Sequence, residues 1–157
     1  MGKTRKEVEE ATIVSMIDIS SKPKVFREAS ATGTIRLKAK TVQLIKNGKI
    51  AKGDPIHTAK IAGVLAAKNT SALIPLCHPI PLTNVQIDIT FENKNLLRVS
   101  TTVKTKAPTG VEMEALTAAT TSLLTIWDMV KQYEKNATGQ YPSTAIEDIR
   151  VTKKIKK

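Results

Sequence analysis

Three patterns in the chain predict an α+β fold. Asn84–Phe91 alternates strictly between apolar and polar residues, the period of a half-buried strand. Val111–Glu134 repeats Leu116, Ala119, Leu123, Trp127 and Val130 at helical spacing. From residue 31 onward the elements run strand, helix, strand, strand, helix, strand.

Taken in order, Met16–Ser20 alternates briefly and predicts a short edge strand. Thr32–Lys38 alternates more clearly and predicts a half-buried strand. Thr41–Asn47 predicts a short helix closed by Gly48. Asp54-Pro55 opens the next helix, because aspartate accepts free amide N–H groups and proline tolerates the first helical position. That helix runs to about Lys68, and its small residues predict close packing against a sheet. Residues 70–82 form a proline-rich apolar loop. Asn84–Phe91 and Leu96–Val103, joined by Glu92–Asn95, predict a hairpin. The long helix Val111–Glu134 follows, then a loop marked by Gly139 and Pro142, then a last strand at Ile146–Val151. This order is that of the ferredoxin-like split βαβ sandwich, with an antiparallel sheet packed on helices.

The 157 residues suit a single domain with room for a core, with loose tails expected at residues 1–12 and 153–157. Hydrophobic residues are 41%, which excludes a disordered chain. No apolar run approaches the ~20 residues that span a bilayer, and five Thr or Ser residues break Ala115–Trp127. No apolar segment follows the basic residues at the N-terminus, so no secretory signal is expected. One cysteine gives no intramolecular disulfide framework and fits a reducing cytoplasm. The net charge is +11, and without Lys153, Lys154, Lys156 and Lys157 the body still carries +7. Such a balance favours anionic partners: nucleic acid, acidic membranes or phosphorylated small molecules. RNA-binding domains share the element order, but they stack bases on aromatic strand residues. Thr32–Lys38 and Leu96–Val103 carry none.

Several ionisable residues stand apart. Asp128 and Lys131 share a helix face, flanked by Thr117, Thr121 and Leu124. They fit either a solvated ion pair or a partly sheltered lysine tuned for acid–base work. Glu112 and Glu114 sit at the helix start, where the dipole favours carboxylates. They also suit hydrogen bonds to the N–H groups of an amide-rich ring, or a divalent cation such as Mg²⁺. His78 is held in a loop stiffened by Pro75, Pro79 and Pro81, with Cys77 beside it as a small filler. One cysteine and two histidines without metal-ligand spacing give poor support for zinc. Lys52-Gly53-Asp54 precedes a helix N-terminus and makes either a fair anion site or a solvated turn.

Long runs carry a family resemblance: Leu73-Ile74-Pro75-Leu76-Cys77-His78-Pro79 and Gly110-Val111-Glu112-Met113-Glu114-Ala115-Leu116-Thr117-Ala118. Shorter ones are Met16–Ile19, Val25–Ala29, Lys52–Asp54, Ala59–Gly63 and Leu124–Lys131. Over roughly residues 14 to 154 the chain resembles the cyclic pyranopterin monophosphate synthases, the molybdenum cofactor biosynthesis protein C family. The resemblance implies a cytoplasmic lyase acting after the radical GTP cyclase. Its reaction converts 3′,8-cyclo-7,8-dihydro-GTP into cyclic pyranopterin monophosphate with loss of pyrophosphate. It implies Lys131, Asp128 and Lys52 as catalytic. It implies substrate contacts from Arg27, Leu76, Cys77, His78, Glu112, Met113, Glu114 and Lys154. It implies no required cofactor, no membrane or nucleic-acid partner, and a homohexamer, a trimer of dimers with sites between subunits. The chain departs from the family at its end, where Val151–Lys157 replaces a Gly-Gly-Lys-Ser-Gly-like tail, leaving Lys153 or Lys154 to reach the substrate. An RNA- or polyanion-binding ferredoxin-like module is the alternative.

Overall fold

A computed structural model describes residues 14–157; the tail expected at residues 1–12 lies outside them. The elements are β1 (Val25–Arg36), α1 (Ala39–Lys46), α2 (Pro55–Lys68), α3 (Thr70–Leu73), β2 (Leu82–Phe91), β3 (Leu96–Ala107), α4 (Glu112–Glu134) and β4 (Ala145–Lys156). The sheet order is β2-β3-β1-β4, and every pairing is antiparallel. With α2 and α4 packed together on one face, this is the ferredoxin-like arrangement the element order predicts.

The strands are longer than their alternation suggests. β1 begins at Val25, seven residues before the predicted start. Its early inward positions are Ala29 and Ala31, both 1% exposed, and alanine is a weak strand former. Register with β3, from Val25 opposite Ala107 to Arg36 opposite Leu96, overrides that preference. β4 continues past Val151 to Lys156, so the residues expected as a loose tail pair with β1 up to Arg27 opposite Lys156. Two register shifts and a left-handed Asp148 (φ 57°) interrupt the period and hide this strand from a pattern search. Met16–Ser20, predicted as an edge strand, forms no strand.

Ile35, Leu37, Leu97, Val99, Val103, Val111, Leu123, Ile126 and Val130 fill the space between sheet and α4. The buried stripe of α4 is Ala115, Ala118, Ala119, Ser122, Leu123, Ile126 and Val130. Leu116 and Trp127, expected on that stripe, lie at its border and are only partly buried. Thr101 Oγ1 donates to the Ala115 carbonyl at 2.8 Å, and Ser122 Oγ to the Ala59 carbonyl at 3.0 Å. The second bond shows what the small residues of α2 are for. They let α2 approach α4 as well as the sheet: a Cβ on Gly63 would collide with Ser122 Oγ and Ile87 Cδ1 and lie 3.0 Å from the Ala118 carbonyl.

Candidate active site

Helix α4 carries an ionisable cluster toward each end. In its C-terminal half, Asp128 divides its carboxylate between two lysines. Oδ1 is 2.8 Å from Lys131 Nζ, three residues along the same face. Oδ2 is 2.8 Å from Lys52 Nζ, which also donates to the Asp128 carbonyl at 3.0 Å. Lys52 arrives on the turn before α2, whose start is capped as expected: Asp54 accepts from the amides of Ile56 and His57, and Pro55 takes the first position. The Lys131 hydrogen bond, then that of Lys52, holds the Asp128 carboxyl down at about 2. Reciprocally, Asp128 raises Lys131. The expected partial burial of the lysine is not found in a single chain. Side-chain exposure is 47% for Lys131 and 55% for Asp128, because Leu124 beside them is itself exposed. Lys131 is therefore held as an ammonium by its carboxylate.

The second cluster lines a cleft of about 480 Å³ at the N-terminal end of α4. Leu76, Cys77 and His78 from the proline-rich loop face Glu112, Met113 and Glu114 across it. Ser15, Ile17, Ile19, Lys22, Ile80, Thr109 and Gly110 complete the lining. His78 Nε2 lies 2.9 Å from the Ile17 carbonyl, which can only accept, so Nε2 carries the proton. Burial works to raise Glu112, but the ion pair with Lys154, its own amide and the nearby Arg27 outweigh it and hold the carboxyl below its usual range. Glu114 is 4% exposed, and burial, with the charge of Glu112, raises it. Burial, then Glu114, also raises the Cys77 thiol. The cleft thus holds an ionised carboxylate and one drawn toward its neutral form. Among the described residues no group of three or more His, Cys, Asp or Glu gathers where it could hold a metal ion.

Arg27 and the two adjacent tail lysines are also placed. The Arg27 guanidinium donates to the carbonyls of Ala107 and Pro108, at 3.4 and 3.1 Å, and so holds the loop from β3 to α4. Lys154 pairs with Glu112 at the cleft, whereas Lys153 pairs with Glu28 at 3.3 Å. Sequence reading missed the contribution of residues 15–22 to the cleft wall. The brief alternation of Met16–Ser20 pointed to an edge strand, and nothing in it marks Ile17 and Ile19 as facing His78 and Glu112.

The two clusters do not meet within one chain. Asp128 stands fourteen residues from Glu114 on one helix, about 21 Å at ~1.5 Å per residue. No helix among the described residues is long and apolar enough to cross a membrane. A ferredoxin-like sandwich whose ionisable side chains gather toward the two ends of one long helix is the class of protein these features define. A profile of the MoaC family matches residues 16–156. The chain is 57% identical over 145 residues to a probable cyclic pyranopterin monophosphate synthase of Sulfurisphaera tokodaii, covering 92% of this chain and 95% of the relative. Similar proteins of the same name occur in Pyrococcus abyssi, 57% identical with 91% and 89% covered, and Archaeoglobus fulgidus, 54% identical with 91% of each covered. The chain belongs to the MoaC family and is an enzyme.

Proposed function

We propose that this protein is a cyclic pyranopterin monophosphate synthase of molybdenum cofactor biosynthesis. In this reading it is a lyase that takes 3′,8-cyclo-7,8-dihydro-GTP, the product of the radical GTP cyclase, to cyclic pyranopterin monophosphate and pyrophosphate by general acid–base catalysis. The observation that carries the reading is the Asp128 carboxylate shared by two ammonium groups, Lys131 and Lys52, in a chain of this family. Such a carboxylate stays ionised and keeps Lys131 an oriented ammonium, whose raised proton affinity must fall on substrate binding for it to act as the general acid. The ammonium groups also face a triphosphate favourably. At the cleft, Glu112 and Glu114 present carboxyl oxygens to ring N–H groups, and Leu76, Cys77 and Met113 offer an apolar wall. Arg27 and Lys154 add positive charge beside them.

The separation of the clusters supports an active site completed by a second copy of the chain, with Lys131 of one subunit facing the cleft of another. Ile61, Leu65, Leu73 and Leu124 leave apolar surface on the helices that association would bury. A trimer of dimers is the assembly we assign. The single cysteine fits a reducing compartment, the cytoplasm.

The test is incubation with the cyclised GTP intermediate, following pyrophosphate and the pterin product. Lys131→Ala and Asp128→Asn should fold and lose about 10²–10⁴-fold in turnover, the range for removing a positioned proton donor. Full turnover by a folded Lys131→Ala protein removes the mechanism. The polyanion-binding alternative gains little: the longer β1 adds one aromatic, Phe26, and β3 still has none.

A further inference from the structure

The turn that delivers Lys52 is tied to α4 at two points, and only one of them is the ion pair with Asp128. The other is the Ala51 amide, which donates to Tyr133 Oη at 2.9 Å. The turn is short: the Gly53 amide returns to the Ile50 carbonyl at 3.0 Å, and Gly53 holds φ at +100°, a conformation that favours glycine. Ile50 is buried and anchors one side. Without the Tyr133 bond, Ala51 and Lys52 would project from that anchor with no backbone tie to the helix.

Tyr133 itself stands on a braced base. The next residue, Glu134, is fully buried and accepts from the Lys38 amide and the Thr144 hydroxyl. The Lys38 ammonium in turn donates to the carbonyls of Tyr133 and Lys135, at 3.2 and 2.9 Å. The end of α4 is thereby clamped between the β1–α1 connection and the start of β4, and its position is passed to the turn through one phenol oxygen.

We infer that Tyr133 is a positioning residue for Lys52, setting the ammonium on Asp128 by holding the Ala51 amide. The inference rests on the proposed reading for its kinetic consequence alone; the structural part stands without it.

Two variants remove this hydrogen bond from opposite sides. Tyr133→Phe deletes the acceptor and keeps the ring. Ala51→Pro deletes the donor at the second position of the turn, where proline is favoured. The first readout is acylation of Lys52 by an amine-reactive reagent, resolved by peptide mass spectrometry against the exposed Lys40 of α1. Either variant should raise Lys52 labelling severalfold relative to Lys40, because the freed turn releases the ammonium from its carboxylate. The second readout is turnover of the cyclised GTP. kcat should fall about tenfold with KM changed much less, since reacting groups tolerate little misplacement. Labelling of Lys52 at the wild-type rate in the folded variants overturns the inference, whatever kcat does. Absence of turnover by the wild-type protein would instead overturn the functional reading, and labelling would then decide alone.

Discussion

Glu114 shows how much a single residue's surroundings can change its chemistry. By sequence it is one of two carboxylates favoured at a helix start, indistinguishable in kind from Glu112. In the structure Glu112 keeps an ammonium partner while Glu114 is buried beside a like charge, so their proton affinities move in opposite directions. The linkage sign follows. A carboxyl raised in the folded state binds more protons folded than unfolded, so its contribution to stability is full below the unfolded value and declines as pH rises through the folded one. Glu114→Gln should therefore raise the melting temperature at about pH 7, and the gain should vanish at about pH 3, where the carboxyl is neutral in both states. A gain of equal size at both pH values would mean the effect is packing, not charge. The residue identities of Glu112, Glu114, His78, Asp128 and Lys131 were all legible as unusual. Which carboxylate is ionised was not, because that depends on Lys154, forty-two residues away in sequence and adjacent in space.

At the scale of elements, the close approach of α2 and α4 governs the geometry of the helical layer. Gly63 has no free space for a side chain, and the atoms it would meet include the backbone carbonyl of Ala118. Gly63→Ala should cost about 1–3 kcal/mol through overpacking, read as a lower urea midpoint with an unchanged slope. Unchanged stability would show that α2 can slide outward at no cost. The three longer helices and the β2–β3 hairpin were legible because their periods are clean, and α2 adds its Asp54 cap; the single turn of α3, Thr70–Leu73, is too short to show a period and was hidden in the loop expected at residues 70–82. The beginning of β1 and the second half of β4 were not: small inward residues in the first and bulges in the second erase the alternation, and only pairing with a neighbour defines them as strands.

At the scale of the whole molecule, the helix that organises the site also keeps its two halves apart. A rigid helix separates Asp128 from Glu114 by about 21 Å, too far for both to serve one small substrate in a single chain. Complementation between subunits tests the proposed remedy. His78→Ala and Lys131→Ala chains, each inactive alone, should regain activity when co-assembled. With random pairing in dimers, about a quarter of sites carry both native residues. No recovery in mixed assemblies, or a particle of one 17.1 kDa chain by light scattering, would place the whole reaction within one subunit.

The amino-acid sequence alone determined the element order, and with it the ferredoxin-like topology, since strand and helix periods are local properties of the chain. It also determined which ionisable residues the chain has to offer a site, because their chemistry is written in their identities. Tertiary structure decided which of those groups meet: Lys52 with Asp128, Lys154 with Glu112, Ala51 with Tyr133. Contacts between residues 42 to 82 positions apart arise from packing, where register, close helix approach and burial select partners that no local pattern encodes.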